Sequence, residues 1–192
     1  MKSTILRLVL LAVVPMAALL RAKDDGENII LFQNHRISIA VPRGLIYSSG
    51  RDDDGTIMAK IIDAKETNQL QVSFRSDPAS QLGTERQQID FLAQVCQRYA
   101  EGSVERRYDF KPLEPHSGTG TYCTFTDASL VGTTPPKGEF LHVTTGVKVW
   151  PGWVIVFTLL SNDNASKEYQ MLLAVLKDSF EEKPAPAAPT KS

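Results

Sequence analysis

The chain has 192 residues, of which 42% are hydrophobic and 22% charged, the composition of an ordinary globular protein with one domain. Its formal net charge is −1 and its pI is about 6.3. This balance excludes bulk electrostatic attraction to nucleic acid or to anionic lipid, so we expect no nucleic-acid partner.

The first 22 residues differ in composition from the rest of the chain. Lys2 and Arg7 precede an apolar run, Leu8–Leu20, and Ala22 follows soon after it. A basic start, an apolar middle and a small residue are typical of a secretory signal peptide. The run is shorter than the about 20 residues of a membrane span. We expect residues 1–22 to be removed, which leaves a periplasmic or extracellular protein without stable membrane insertion. Cleavage a few residues earlier and an uncleaved anchor are the alternatives.

Strand-forming stretches follow the leader. The segment HRISIAVPRGL predicts a first strand around Arg36–Val41, closed by a turn at Pro42 and Gly44. Two β-rich runs, Thr56–Ala64 and Gln69–Arg75, are joined by a short polar connection and predict a hairpin.

A helix is predicted next, beginning at Thr84. Gln87 stands three residues later, which is the spacing of a capping box. One apolar face then recurs at steps of three and four residues. Its members are Ile89, Leu92, Cys96 and Tyr99. Gly102 is expected to end the helix.

The second half predicts further strands and a last helix. The strand stretches are Thr119–Val131, Glu139–Val149 and Val154–Leu160, with another inside Val104–Leu113, and the helix is Ala165–Phe180. The run WVIVFTLL is apolar at nearly every position, which indicates a strand covered on both faces. The helix carries an apolar stripe of Tyr169, Leu172, Leu173, Leu176 and Phe180.

This order of elements predicts an α+β fold, a largely antiparallel sheet flanked by helices in an α/β/α sandwich. Residues 23–182 form its single domain, and the Pro/Ala-rich residues 183–192 are expected to be a disordered tail. The segments HRISIAVPRGL, VKVWPGWVIVFTLLS and EYQMLLAVLKDSF resemble the PsbP-like fold family, named after an extrinsic protein of photosystem II. Members of that fold are mostly non-enzymatic, and many are exported. The resemblance therefore implies an exported protein with a binding or assembly role rather than a catalytic one. A cystatin-like or NTF2-like α+β fold is the alternative.

Cys123 is the candidate nucleophile, since a thiol enzyme needs a base within hydrogen-bond reach. Centring the hairpin near Pro135 places Cys123 opposite Val147 and His142 opposite Ala128. Cys123 and His142 then point to opposite faces of the sheet. A thiol or serine hydrolase therefore stays only as an alternative function.

Metal and cofactor motifs are weak, and we expect no cofactor and no metal. Asp52 and Asp54, in the run RDDDGT, allow a weak surface calcium site, but the spacing of an EF-hand loop is lacking. A polar hairpin turn is the other interpretation of the same run.

Two residue pairs each allow two interpretations. Trp150 and Trp153 flank a Pro-Gly turn and predict either an exposed binding edge or two side chains that cap the core. Cys96 and Cys123 both point into the layer between helix and sheet, where they form a disulfide or serve as two small apolar side chains.

The function predicted from these features is an exported, non-catalytic binding or assembly module of the cell envelope. Its partner is expected to be an envelope protein or a small ligand. A small-ligand or ion carrier that uses a groove beside the sheet is the alternative in the binding class.

Overall fold

The computed structural model describes residues 27–32, 35–53 and 55–182. The predicted signal peptide and the predicted tail lie outside the described residues. Among the described helices, none combines the length and the hydropathy that a membrane crossing requires.

The described residues form ten strands and two helices. The strands are β1 Glu27–Phe32, β2 His35–Ala40, β3 Leu45–Arg51, β4 Ile57–Asp63, β5 Asn68–Asp77, β6 Lys111–Pro112, β7 Thr119–Thr126, β8 His142–Trp150, β9 Gly152–Ser161 and β10 Phe180–Glu182. The helices are α1 Glu85–Ala100 and α2 Lys167–Asp178.

The strands build two sheets. Seven of them form the main sheet in the order β3-β4-β5-β9-β8-β7-β6, and β1-β2-β10 form a smaller one. Every pairing between named strands is antiparallel. The structure therefore confirms the α+β class with a largely antiparallel sheet.

Both faces of the main sheet are covered, as the apolar run in β9 predicts. Trp153, Ile155 and Phe157 pack in one apolar layer with α2 and β2. Val154 and Leu160 alternate with them and pack in a second layer with α1. Because neighbouring side chains of a strand point to opposite faces, β9 supplies both layers at once.

The start of α1 is as predicted. The Thr84 side chain accepts a hydrogen bond from the Gln87 N–H, and the Gln87 side chain accepts one from the Thr84 N–H. Leu92, Cys96 and Tyr99 are buried on the predicted face. The prediction is wrong at Ile89, which is only half-buried, because the preceding Gln88 takes the inward position.

The end of α2 differs from the prediction. The helix stops at Asp178 because Ser179 has extended backbone angles, φ −61° and ψ 139°. Phe180 therefore leaves the helical stripe, enters β10 and is 44% exposed. Residues Phe180–Glu182 then pair with β2, so the chain stays ordered to the end of the predicted domain.

The β7–β8 hairpin is shorter than predicted. β7 ends at Thr126, and the Asp127 carboxylate then accepts hydrogen bonds from the N–H and the hydroxyl of Ser129. Cys123 lies opposite Thr145 rather than Val147. The shift in register amounts to two residues, so each side chain keeps its predicted face.

Candidate functional site

Cys96 on α1 and Cys123 on β7 meet in the layer between helix and sheet. Both side chains are completely buried, and both are free thiols in this structure. The neighbouring Cys123 side chain, together with burial, raises the pKa of Cys96. The Cys96 side chain and the Asp109 N–H, which donates to the Cys123 sulfur at 3.3 Å, outweigh burial and lower the pKa of Cys123. The predicted proximity of the two sulfurs is thus present, without the bond.

His142 does not reach Cys123. Cys123 packs in the α1 layer, whereas His142 shares the alternation of Thr144, whose hydroxyl lies 2.8 Å from the Tyr169 hydroxyl of α2. The two side chains therefore point to opposite faces, as predicted. Cys123 has no base of the kind that a thiol enzyme uses on this strand pair.

His142 has a different partner. Its Nδ1 lies 3.2 Å from the Thr126 Oγ1, and that hydroxyl also donates to Glu105 Oε1 at 2.8 Å. The Thr126 N–H donates to the other Glu105 oxygen at 2.9 Å. Burial raises the pKa of Glu105, but these hydrogen bonds outweigh it and hold the pKa low. The hydroxyl proton of Thr126 is therefore donated to the Glu105 carboxylate. The hydrogen bonds between Glu105 and Thr126 connect the loop after α1 to β7.

Trp150 and Trp153 lie on the two sides of the β8–β9 turn. Their rings stack with centroids 4.1 Å apart and planes 7° apart. Both are buried, and each indole N–H has an acceptor: Ser117 Oγ for Trp150 at 3.3 Å and Glu181 Oε2 for Trp153 at 3.2 Å. The structure corrects the alternative of an exposed binding edge, since these rings close the end of the core.

Lys148 is a buried charged residue that the motifs in the sequence did not indicate. It lies on β8 between Val147 and Val149, and its side chain has no exposed surface. Its Nζ donates to the carbonyls at the end of α2 and to Ser179, and lies 4.6 Å from the Trp150 ring centroid. The acceptors are Leu176 O at 2.7 Å, Lys177 O at 3.1 Å, Ser179 O at 2.5 Å and Ser179 Oγ at 3.1 Å.

Two effects act in opposite directions on the pKa of Lys148. Burial lowers its pKa to about 7, and the Asp178 carboxylate acts against this shift. The carbonyl oxygens at a helix C-terminus favour a cation. The signal available in the sequence was a lysine between two valines, Val147 and Val149, in the predicted strand Glu139–Val149.

The Asp52 turn is built from local hydrogen bonds. Asp52 Oδ1 accepts the Thr56 N–H at 2.8 Å, and Asp52 O accepts the Gly55 N–H at 3.0 Å. Asp54, the other calcium candidate, lies outside the described residues. Within the described ranges, no group of three or more His, Cys, Asp or Glu side chains is placed to hold a metal ion. The polar-turn interpretation thus accounts for the observed contacts of Asp52.

A concave surface lies at the opposite end of the sheet from the tryptophans. It is a groove of about 430 Å³ between the β4–β5 turn, the β7–β8 loop and the end of β9. It is lined by Ala64, Lys65, Glu66, Thr67, Pro135, Pro136, Lys137, Gly138, Glu139 and Asn162. We call it the loop-end groove. Lys137 and Glu66 form an ion pair of 3.3 Å at its wall.

The base of the loop-end groove is held together by hydrogen bonds. Asp63 accepts hydrogen bonds from the Thr67 N–H and hydroxyl and from the Asn68 amide, each at 2.8 Å. Burial raises the pKa of Asp63, but these hydrogen bonds outweigh it and lower the pKa. The Ser161 hydroxyl donates to Asn68 Oδ1 at 2.6 Å, which ties the β4–β5 turn to the end of β9.

Within the described part of the chain, no buried side-chain nitrogen or oxygen lacks a hydrogen-bond partner. The reactive side chains of Cys123 and Lys148 form hydrogen bonds inside the packed layers, and the half-buried Thr126 donates to Glu105. The open concave surface, by contrast, is lined by solvent-accessible charges of both signs.

Comparison with known proteins supports the fold. No family model and no curated protein sequence matches the chain significantly. Among solved structures, the chain is similar to that of cyanobacterial PsbP (CyanoP) from Synechocystis sp. PCC 6803, with 13% sequence identity and a TM-score of 0.50. The match covers 87% of this chain and 99% of that one. At this identity the likeness shows the fold alone, which is PsbP-like.

Proposed function

We propose that the chain is an exported, non-catalytic binding or assembly module of the cell envelope. The observation that carries the proposal is the loop-end groove, an open surface held on a hydrogen-bonded base. The side chains of Cys123, Thr126 and Glu105 take part in hydrogen bonds elsewhere in the fold. The PsbP-like fold is compatible with this role.

The chemistry of the groove favours a polar segment of a partner protein. Lys65 and Lys137 stand against Glu66 and Glu139, so the lining has no bias toward one sign of charge. A peptide segment that carries both signs can pair with such a surface, and electrostatic complementarity supplies specificity more than affinity. We therefore propose an envelope protein as the partner.

A small-ligand carrier is the second candidate, since the groove volume favours it. The 430 Å³ of the loop-end groove falls inside the range of about 300–1,000 Å³ that small-molecule sites occupy. Its open, polar lining would suit a small zwitterion rather than an apolar ligand.

The test is capture from an envelope extract of the protein's own host, with chemical cross-linking. The variant Lys137→Glu reverses one groove charge and breaks the pair with Glu66. Arg86→Glu is the matched control, because Arg86 is an exposed residue in the first turn of α1. We expect the wild type and Arg86→Glu to capture the same partner protein, and Lys137→Glu to capture none of it. Identical recovery with all three would reject the groove as the site. No recovered protein, together with a small ligand detected by native mass spectrometry, would favour the carrier.

Export is the part of the proposal that rests on the N-terminal sequence. The basic start and apolar run of residues 1–22 support cleavage by a signal peptidase. Sequencing the N-terminus of the protein from the envelope fraction tests it directly. A chain that begins at Met1 and stays with the cytosolic fraction would contradict export.

We further propose that Cys96 and Cys123 become bonded after export, because disulfides persist in oxidising compartments. The adjacent thiols support this step. Formation of the bond releases two protons and passes two electrons to the disulfide of a thiol oxidant.

A further inference from the structure

Residues 107–110 connect the loop after α1 to strand β6, and their backbone is attached to the sheet through a sulfur atom. The Asp109 N–H donates to Cys123 Sγ at 3.3 Å, which is the one backbone hydrogen bond that the described structure gives this segment. Phe110 is half-buried and packs in the α1 layer, whereas the other three side chains are exposed. The attachment of the 107–110 segment therefore depends on one thiol and one ring.

The Cys123 sulfur takes the place of a backbone acceptor in the ladder between β6 and β7. Lys111 of β6 pairs with Tyr122, and the Leu113 N–H donates to Gly120 O at 2.9 Å. Hydrogen-bonded pairs recur at every second residue of an antiparallel ladder, so Asp109 is the next donor in line. Its N–H donates to the sulfur instead of a carbonyl oxygen. The hold on this segment is thus sensitive to the chemistry of a side chain.

A second neighbour, Cys96, interacts with the same sulfur from a different direction. Helix α1 covers the face of β7 toward which Cys123 points, whereas Asp109 approaches from the β6 edge of the sheet. A disulfide brings its two sulfurs much closer together than two thiols in contact, so the bond draws Cys123 Sγ toward α1. A bonded sulfur also cannot ionise, and hydrogen bonds to ionised acceptors are the stronger ones. Both effects weaken the bond from the Asp109 N–H.

We propose that the Cys123 sulfur is a redox-dependent clasp, which holds the 107–110 segment while Cys96 and Cys123 are thiols and releases it when they are bonded. The inference rests on the disulfide proposed above and does not depend on the loop-end groove. When the bond forms, two S–H bonds break, two protons leave, and two electrons reduce the disulfide of a thiol oxidant to two thiols. Release then gives the exposed Arg107 and Tyr108 a movable backbone only in the exported, oxidised protein.

The experiment is amide hydrogen exchange, followed by NMR, on the isotope-labelled protein as its host processes it. Because both sulfurs are buried, the two forms are prepared by refolding the denatured protein with oxidised or with reduced glutathione. Alkylation of the denatured samples establishes which form carries the bond. We expect the Asp109 amide to exchange about tenfold faster, or more, in the bonded form, because its acceptor is withdrawn.

Two flanking amides serve as internal controls. The Val104 N–H donates to Thr126 O at 2.9 Å and the Leu113 N–H to Gly120 O at 2.9 Å, so neither uses a sulfur. Their exchange rates should agree between the two forms within about twofold. Acceleration of these amides by the same factor as Asp109 would overturn the proposal, because the bond would then loosen the domain as a whole.

A matched pair of variants separates the acceptor from the bond. Cys96→Ala keeps the Cys123 sulfur but forms no disulfide, so the Asp109 amide should exchange slowly with either form of glutathione. Cys123→Ala removes the acceptor, so the same amide should exchange fast with either form. Circular dichroism and urea unfolding check that both variants are folded. If Cys123→Ala does not fold, the comparison of wild type with Cys96→Ala still decides.

The outcomes distinguish the clasp from the disulfide on which it rests. Fast exchange at Asp109 in the bonded wild type, with slow exchange in Cys96→Ala, supports the clasp. A bonded protein in which the Asp109 amide stays as protected as in the reduced form overturns the clasp and leaves the disulfide in place. A protein that forms no bond during refolding with oxidised glutathione overturns both.

Discussion

The buried Lys148 side chain donates hydrogen bonds to the C-terminal end of α2 from inside the fold. We expect Lys148→Met to lower the free energy of unfolding by roughly 2–4 kcal/mol, since the carbonyl oxygens of Leu176 and Ser179 lose their donor in a buried site. Urea unfolding measures the loss. Lys65→Met, at an exposed position, is the control and should stay within about 0.5 kcal/mol of wild type. Equal losses in the two variants would contradict the role assigned to Lys148.

The same variant reveals the pH dependence of Lys148. Burial lowers its pKa to about 7 in the folded chain, whereas a lysine in an unfolded chain titrates near about 10.4. Between these pH values the unfolded chain binds the additional proton, so unfolding becomes less favourable as pH rises. We expect the stability of the wild type, relative to Lys148→Met, to increase from pH 7 to pH 10. A difference that falls or stays constant over this interval would contradict the shift.

The adjacent thiols of Cys96 and Cys123 make the redox state measurable through stability. If the exported protein carries the disulfide, reduction should lower the free energy of unfolding by roughly 3–4 kcal/mol in the loop-entropy model. Thermal and urea unfolding with and without a reductant test this. The double variant Cys96→Ala/Cys123→Ala should not respond to the reductant. Full alkylation of both cysteines in the unreduced, denatured wild type would show that no bond forms.

Among the elements, α1 begins where its capping box predicts. Thr84→Ala removes the acceptor of the Gln87 N–H, and we expect a loss of about 1 kcal/mol in unfolding free energy. Gln94→Ala, on the exposed side of the same helix, is the control and should be neutral or slightly stabilising. A Thr84→Ala protein as stable as wild type would mean that water replaces the cap without cost.

Elements with weak patterns were missed for a physical reason. β3 reads LIYSSGR, in which Ser-Ser-Gly hides the alternation, because an edge strand needs no continuous apolar face. β10 has only three residues and depends on β2 for its hydrogen bonds. Its strand conformation is set by tertiary pairing, and the helical stripe of α2 was therefore extended too far, to Phe180.

For the whole molecule, the layer structure could be predicted from one run of residues, whereas the candidate site could not. The apolar sequence of β9 is sufficient to place helices on both faces of the sheet. The proximity of Cys96 and Cys123 could also be predicted, because the first lies on the apolar face of α1 and the second on the face of the sheet that α1 covers. The loop-end groove joins turns that are distant in sequence, such as Glu66 and Lys137. Its shape depends on the strand order, which local patterns do not determine.

The two apolar layers should respond independently to mutation. Ile61 packs in the α2 layer and Val147 in the α1 layer, and both are buried. β5 and β9 separate their strands, which places them more than about 10 Å apart at the usual strand spacing. We expect Ile61→Val to cost about 1 kcal/mol and Val147→Ala about 2 kcal/mol.

Because distant sites without shared partners add, the double variant Ile61→Val/Val147→Ala should lose the sum of the two within about 0.5 kcal/mol. Urea unfolding of the wild type, the two single variants and the double variant completes this double-mutant cycle. A second pair in one layer, Val156→Ala with Val147→Ala, is the comparison, because these residues are direct cross-strand neighbours on β9 and β8 and can couple. Strong coupling between Ile61 and Val147 would mean that the sheet transmits strain between its faces, and that the two layers act as one core.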